Sequence, residues 1–134
     1  MKSFALVICV IVLATLAYGG SLSTVVSRRR ITNAHNQCQA DPATHVDEED
    51  LKKSLKGIQV SGLGPHMLCM SKKIGLQKSN GDIDRAVFRV RFSEIVRNQS
   101  KLDDIVEGCA VQKETPEDTA EHIMKCFHQH HPCP

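Results

Sequence analysis

Aromatic side chains are scarce in this 134-residue chain, which has no tryptophan, one tyrosine and four phenylalanines. Phe4 and Tyr18 fall within the first 19 residues, so Phe88, Phe92 and Phe127 are the only rings besides histidine in the remainder. Three scattered rings cannot form a base-stacking platform. An excess of one charge is also lacking: the formal net charge is +2, which gives no electrostatic reason for a nucleic acid partner. Beyond the first 19 residues no stretch approaches the roughly 20 apolar residues of a spanning helix, so no membrane insertion is expected. Catalytic signatures are missing as well. There is no G-x-S-x-G, no H-E-x-x-H, and no pair of adjacent cysteines near a His-Asp pair. The paired carboxylates Asp82/Asp84 and Asp103/Asp104 stand at helix starts, where capping and the helix dipole account for them. The chain is therefore expected to be no enzyme and to need no cofactor.

What is present begins with Lys2, an apolar run from Phe4 to Ala17 and the small-residue exit Ala17-Tyr18-Gly19. This is the grammar of a secretory signal peptide cleaved after Gly19, so a secreted, extracellular product is expected. The layout expected is a signal peptide over 1–19, one helical domain over 20–127 and a His/Pro/Cys tail over 128–134. Cleavage removes Lys2 and leaves 16 basic against 15 acidic residues. It also removes Cys9 and leaves Cys38, Cys69, Cys109, Cys126 and Cys133. An odd number in an oxidising compartment means two bridges and one thiol over.

Helix-start grammar recurs along the rest. Asp47 is an N-cap with acidic residues behind it, and Val46 is placed to staple onto Leu51 of a helix over 48–56 that Gly57 stops. Gly64-Pro65 opens a second, with Leu63 set to staple onto Leu68, ending near Gly75. Ser79-Asn80-Gly81-Asp82 is a turn followed by a cap. From Ile83 to Val96 the pattern puts Ile83, Ala86, Val87 and Val90 on one helical face and Phe88, Phe92, Ile95 and Val96 on the opposite one, which predicts a central helix surrounded by protein. Ser100, with Asp103 as its capping-box partner, starts a helix carrying Leu102, Ile105, Val106, Cys109 and Ala110. Thr115-Pro116-Glu117-Asp118 starts another, striped by Ala120, Ile123, Met124 and Phe127. A helix over about 22–37 runs into Cys38. The sum is all-α, about six short helices.

The cysteine spacing separates two readings of the sulfur. Zinc sites pair their ligands at short spacing, and only His122, Cys126 and His130, at i, i+4 and i+8, come near that pattern; secretion favours a disulfide for Cys126 instead. Taken whole, the chain resembles the insect odorant-binding and pheromone-binding protein family in its reduced, four-cysteine form. Cys38 matches the first family cysteine, and Cys69 with Met70-Ser71-Lys72-Lys73-Ile74-Gly75-Leu76 behind it matches the third. Cys109 fits the fourth, and Cys126 at the end of the run from Pro116 fits the sixth. Pro65 and Glu117 stand where the second and fifth would fall, and in the family those two bond to each other. The resemblance covers about 22–128. It implies a compact bundle of six helices around an apolar cavity, with bridges Cys38–Cys69 and Cys109–Cys126, and a more mobile contact between the helix from Gly64 and the last helix where the third bridge is missing. Cys133 lies outside the pattern and stays open between a free thiol, an intermolecular bridge and a capped cysteine. A monomer or weak dimer is expected.

The resemblance also implies a carrier of small hydrophobic ligands such as odorants, pheromones or other lipophilic metabolites. A ligand wall is expected from Leu63, Met67, Met70, Ile74, Val87, Phe88, Phe92, Ile95, Val106, Ile123, Met124 and Phe127, with methionines able to repack around different shapes. Taken singly, each of them is better explained as ordinary core, and only the resemblance raises the set to a ligand wall. Two other readings stand beside it: a secreted interaction or defence protein without an enclosed ligand, and a metal binder in the His-rich tail. His128, His130 and His131 could couple ligand release to pH through that tail. Ser27-Arg28-Arg29-Arg30 reads as a solvated helix face, a processing site or an anionic-surface contact, and Asn98-Gln99-Ser100 as a glycosylation acceptor.

Overall fold

A computed structural model of the chain describes residues 22–96 and 98–130, without the side chains of 22–24, 128 and 130. The expected signal peptide over 1–19 and the tail residues His131 and Cys133 lie outside the described residues. Among the described residues six helices follow one another: α1 Leu22–Ala40, α2 Glu48–Leu55, α3 Gly64–Lys73, α4 Arg85–Ser93, α5 Gln99–Cys109 and α6 Pro116–His130. The fold is all-α, and the element types agree with the sequence reading throughout.

Local chemistry sets most helix ends. Asp47 accepts hydrogen bonds from the Glu49 and Asp50 amides, and Val46 and Leu51 pack in one cluster, as a hydrophobic staple requires. Pro65 occupies the first turn of α3, where its missing N–H costs nothing. Thr115 accepts from Asp118 N at the start of α6. Two caps differ from expectation. The α4 cap is Asp84, because Ile83 is held in an antiparallel bridge to Gln77 and the backbone is released for helix only afterwards. The α5 cap is Asn98, whose Oδ1 accepts from both the amide and the hydroxyl of Ser100; Asp103 pairs with Arg89 at 2.6 Å instead of closing a capping box. The last helix also runs through His130, past the boundary drawn at Phe127.

The turn between α3 and α4 is pinned to α6. Buried Gln77 donates from Nε2 to Gly81 O at 2.8 Å and to Pro116 O at 3.1 Å. Gly81 has φ +94°, and a Cβ there would lie 2.6 Å from Pro116 Cγ. Gly81→Ala is expected to cost about 2–3 kcal/mol in urea unfolding, from backbone strain and the clash together.

The central element is α6, which packs against α2, α3 and α5, while α1 lies on α3 and α4 on α5. The sequence reading gave that place to α4. Only its Phe88 and Phe92 face is buried, with Val96 just beyond its end; Val90 is 53% exposed and Ala86 is exposed, because their neighbours Arg85 and Arg89 hold that side at the surface. Disulfides Cys38–Cys69 and Cys109–Cys126, with Cα–Cα distances of 6.0 and 5.4 Å, tie α1 to α3 and α5 to α6, the pairing that the resemblance implied.

Candidate functional site

Small domains usually bury one contiguous core. Here the buried side chains form three clusters: one around Phe88, Phe92, Ile105 and Ile123, one around Leu51, Leu63 and Met67, and one around Ala34, Cys38 and Met70. Where the three face one another they leave a cavity of about 120 Å³. Its wall comes from α1, α2, α3, α4 and α6 and from the segments after α3 and α4; α5 contributes none of it. The lining is mainly aliphatic, thioether and aromatic, with His35 and Ser71 among it, and charged at one side, where Ser27, Arg30, Arg91 and Glu94 gather.

Eight of the twelve expected wall residues line the cavity: Met67, Met70, Ile74, Phe92, Ile95, Ile123, Met124 and Phe127. The other four do not, for identifiable reasons. Phe88 is wholly buried beneath Phe92, their rings stacked at 4.2 Å, so Phe92 covers it from the hollow. Val106 belongs to α5, which stands behind α4 and α6. Leu63 packs with Val46 and Leu51, and Val87 is half-buried on the outer side of α4 near Gly75. Sequence reasoning missed the whole α1 wall. Buried Ser27, Ala34 and Cys38 with half-buried Ile31 do form one inward helical face, running back from the first cysteine, that periodicity could have shown. The Ser27–Arg30 run is accordingly not a uniformly solvated face.

The charged side is a compact network. Ser27 Oγ donates to Glu94 Oε2 at 2.7 Å, Arg30 donates to the same oxygen at 2.8 Å, and Arg91 lies 3.5 Å from Oε1 while its Nε donates to Ile74 O at 3.1 Å. Burial pushes the Glu94 carboxyl up, but the bonds from Ser27 and Arg30 and the charges of Arg30 and Arg91 outweigh it and hold it below the ordinary carboxylate value. Arg30, Arg91 and Glu94 keep 20–31% of their side chains exposed, so the network marks the mouth of the hollow.

A second polar group lies deeper. His35 and His66 meet edge to face at 5.2 Å, both wholly or almost wholly buried. His35 Nε2 lies 3.1 Å from Glu48 Oε1, which also accepts from Gln39, and His66 Nδ1 donates to Thr44 O at 2.9 Å. His66 Nε2 has no partner, so a second ring proton would have nowhere to go. Burial chiefly, and the charge of His35 in addition, lower the His66 pKa, against the bond to Thr44. The folded state therefore resists a proton that the unfolded state accepts, and its stability falls as pH drops below about 6.5 toward the lower folded value. His66→Gln is expected to flatten the slope of unfolding free energy between about pH 6.5 and 5. An unchanged slope in urea titrations across that range would remove His66 from the acid response.

Cys126 is bonded to Cys109, so the thiolate that a His122–Cys126–His130 metal site needs is not available. His122 instead lies 3.0 Å from Gly108 O. Among the described residues no three metal-ligating side chains come together, and no helix is long and apolar enough to cross a membrane.

Among the described residues, six short helices, two disulfides and a hollow where the core clusters face one another define an all-α domain built around a cavity. Residues 23–130 match the PBP/GOBP family, and the chain belongs to it. Members of that family are secreted binding proteins for small hydrophobic ligands, not enzymes. The chain is also similar to the B1 protein and the B2 protein of Tenebrio molitor, each 30% identical over 83 residues. The aligned part is 60% of this chain and 64% and 65% of those two proteins, so it spans just under two thirds of the relatives' length. No solved structure matches the chain.

Proposed function

We propose that this protein is a secreted, non-catalytic carrier that takes up a small hydrophobic ligand in the cavity between α1, α2, α3, α4 and α6. The observation that carries the reading is the hollow itself: about 120 Å³ of unfilled, mainly aliphatic interior in a domain that could have packed it shut. Met67, Met70, Ile123, Met124, Phe92 and Phe127 are the proposed ligand contacts. A dry apolar cavity of about 150 Å³ accommodates benzene, so the resting hollow fits a ligand of about six carbons, and longer ones require the methionines to repack. The leader-like run over 1–19 supports secretion. A fluorescent apolar probe is expected to bind one per chain and be displaced by short-chain alcohols; no displaceable binding would end the reading.

The same proposal includes the reduced, four-cysteine form of the family. Supporting it, the start of α3 abuts the start of α6 where the absent bridge would lie: a Cβ on Gly64 would come within 2.8 Å of Glu117 Cβ. The double substitution Pro65→Cys with Glu117→Cys should then oxidise to a third bridge. Two thiols that stay reactive under oxidising conditions would put the assignment of those positions aside.

A further inference from the structure

Resting on the carrier reading, we infer that the mouth formed by Ser27, Arg30, Arg91 and Glu94 is a head-group site, and that the preferred ligand is a short amphipathic monocarboxylate whose tail lies in the cavity and whose anionic head is held by the two arginines. The argument starts from charge. Two guanidinium groups and one carboxylate line the cavity, leaving one unit of positive charge in excess where the apolar wall ends. Glu94 is an anion at neutral pH, since its neighbours hold its carboxyl low. It therefore occupies the place of an anionic head.

That occupancy is uneven. Arg30 donates to Glu94 at 2.8 Å, but Arg91 is only 3.5 Å away, at the limit of a hydrogen bond, and is fixed mainly by its Nε bond to Ile74 O. A guanidinium carries five N–H donors in a fork matched to a carboxylate, so Arg91 keeps donors for a second one. An incoming carboxylate can take that fork without breaking the Ser27–Glu94–Arg30 contacts. The mouth is partly exposed, so the head keeps some water and avoids the large cost of burying a charge. Deeper in the wall, Ser71 is 3% exposed and its Oγ has no hydrogen-bond partner. Apart from Ser71 and from His35, which is already paired with Glu48, the wall behind the cationic rim is apolar, and that fits a ligand with an anionic oxygen at one end and a hydrocarbon chain behind it.

The test compares hexanoate with 1-hexanol as displacers of a bound apolar probe, using the protein with both disulfides intact. Hexanoate is expected to bind more tightly than 1-hexanol. Arg91→Met, which keeps the length and apolar stem, should bring the hexanoate-to-hexanol affinity ratio to one or below. Glu94→Gln, which removes the internal competitor, should raise that ratio by about tenfold, the worth of one charge-assisted hydrogen bond. Equal or weaker binding of hexanoate by the unmodified protein would overturn the inference while leaving the carrier reading standing, as would a ratio unmoved by either substitution. Failure of both compounds and of the probe to bind would overturn the carrier reading and this inference together.

Discussion

Replacing Cys38 and Cys69 together by serine is expected to cost about 3–4 kcal/mol of unfolding free energy and to abolish probe binding in the molecules that remain folded. The energetic part follows from loop closure: the bridge joins residues 31 apart, and freeing that loop returns chain entropy to the unfolded state. The functional part follows from what the bridge holds. It fastens α1 to α3, and α1 supplies Ser27, Arg30, Ile31 and His35 to the wall, so a loosened α1 opens one side of the hollow. The other bridge provides the control. Cys109 and Cys126 are 17 apart, and the loop they close contributes about 3 kcal/mol, but the bridge ties α6 to α5, which lines none of the cavity. Its removal should lower stability similarly while the remaining folded molecules retain more of their probe affinity. Urea unfolding read alongside probe binding at low denaturant separates the two effects. Equal loss of binding in both variants would show that the wall depends on global stability alone.

Phe88→Ala is expected to destabilise by about 3–5 kcal/mol, the range for truncating a fully buried aromatic side chain. Phe88 is wholly inaccessible, stacks on Phe92 and sits in the cluster shared by α4, α5 and α6. Phe127→Ala offers the contrast. Its ring is half-buried, lines the cavity and meets Phe92 edge to face at 5.5 Å, so its loss should cost less stability but change which ligands fit. Thermal unfolding with a ligand-size series measures both. A Phe88→Ala variant as stable as the parent would mean that the Phe88–Phe92 stack is dispensable and the cavity less well supported than its packing indicates.

The two phenylalanines show where sequence reading stops. Phe88 and Phe92 are one turn apart with the same chemistry; periodicity assigns both to one buried face, and the resemblance extends both to the wall. Only the packing of α5 behind α4 determines that Phe88 is covered and Phe92 looks into the hollow. Val106 lies off the cavity lining for the same reason, and Leu63 packs in the cluster of Val46 and Leu51. The reverse error is as informative. Arg30 and Glu94 are 64 positions apart, and neither position hints at a cavity, yet α1 and the end of α4 bring them to 2.8 Å. Charged residues are discounted as wall candidates because most are solvated, so the mouth was invisible while the wall was partly legible.

Sequence by itself determined the helices, because caps such as Asp47, the Gly64-Pro65 start and the apolar stripe of α6 act within a turn or two of the residues that carry them. Which helices are joined in pairs was implied by the family resemblance that Cys38, Cys69, Cys109 and Cys126 carry, and the two bridges bear it out. Tertiary structure alone decided that α6 and not α4 is the centre, that the core clusters leave a hollow where they face one another, and that two arginines and a glutamate gather where the hollow reaches the surface. Hydrophobic burial specifies which face of a helix turns inward, but it is non-directional, so the volume left unfilled depends on how all the inward faces fit together.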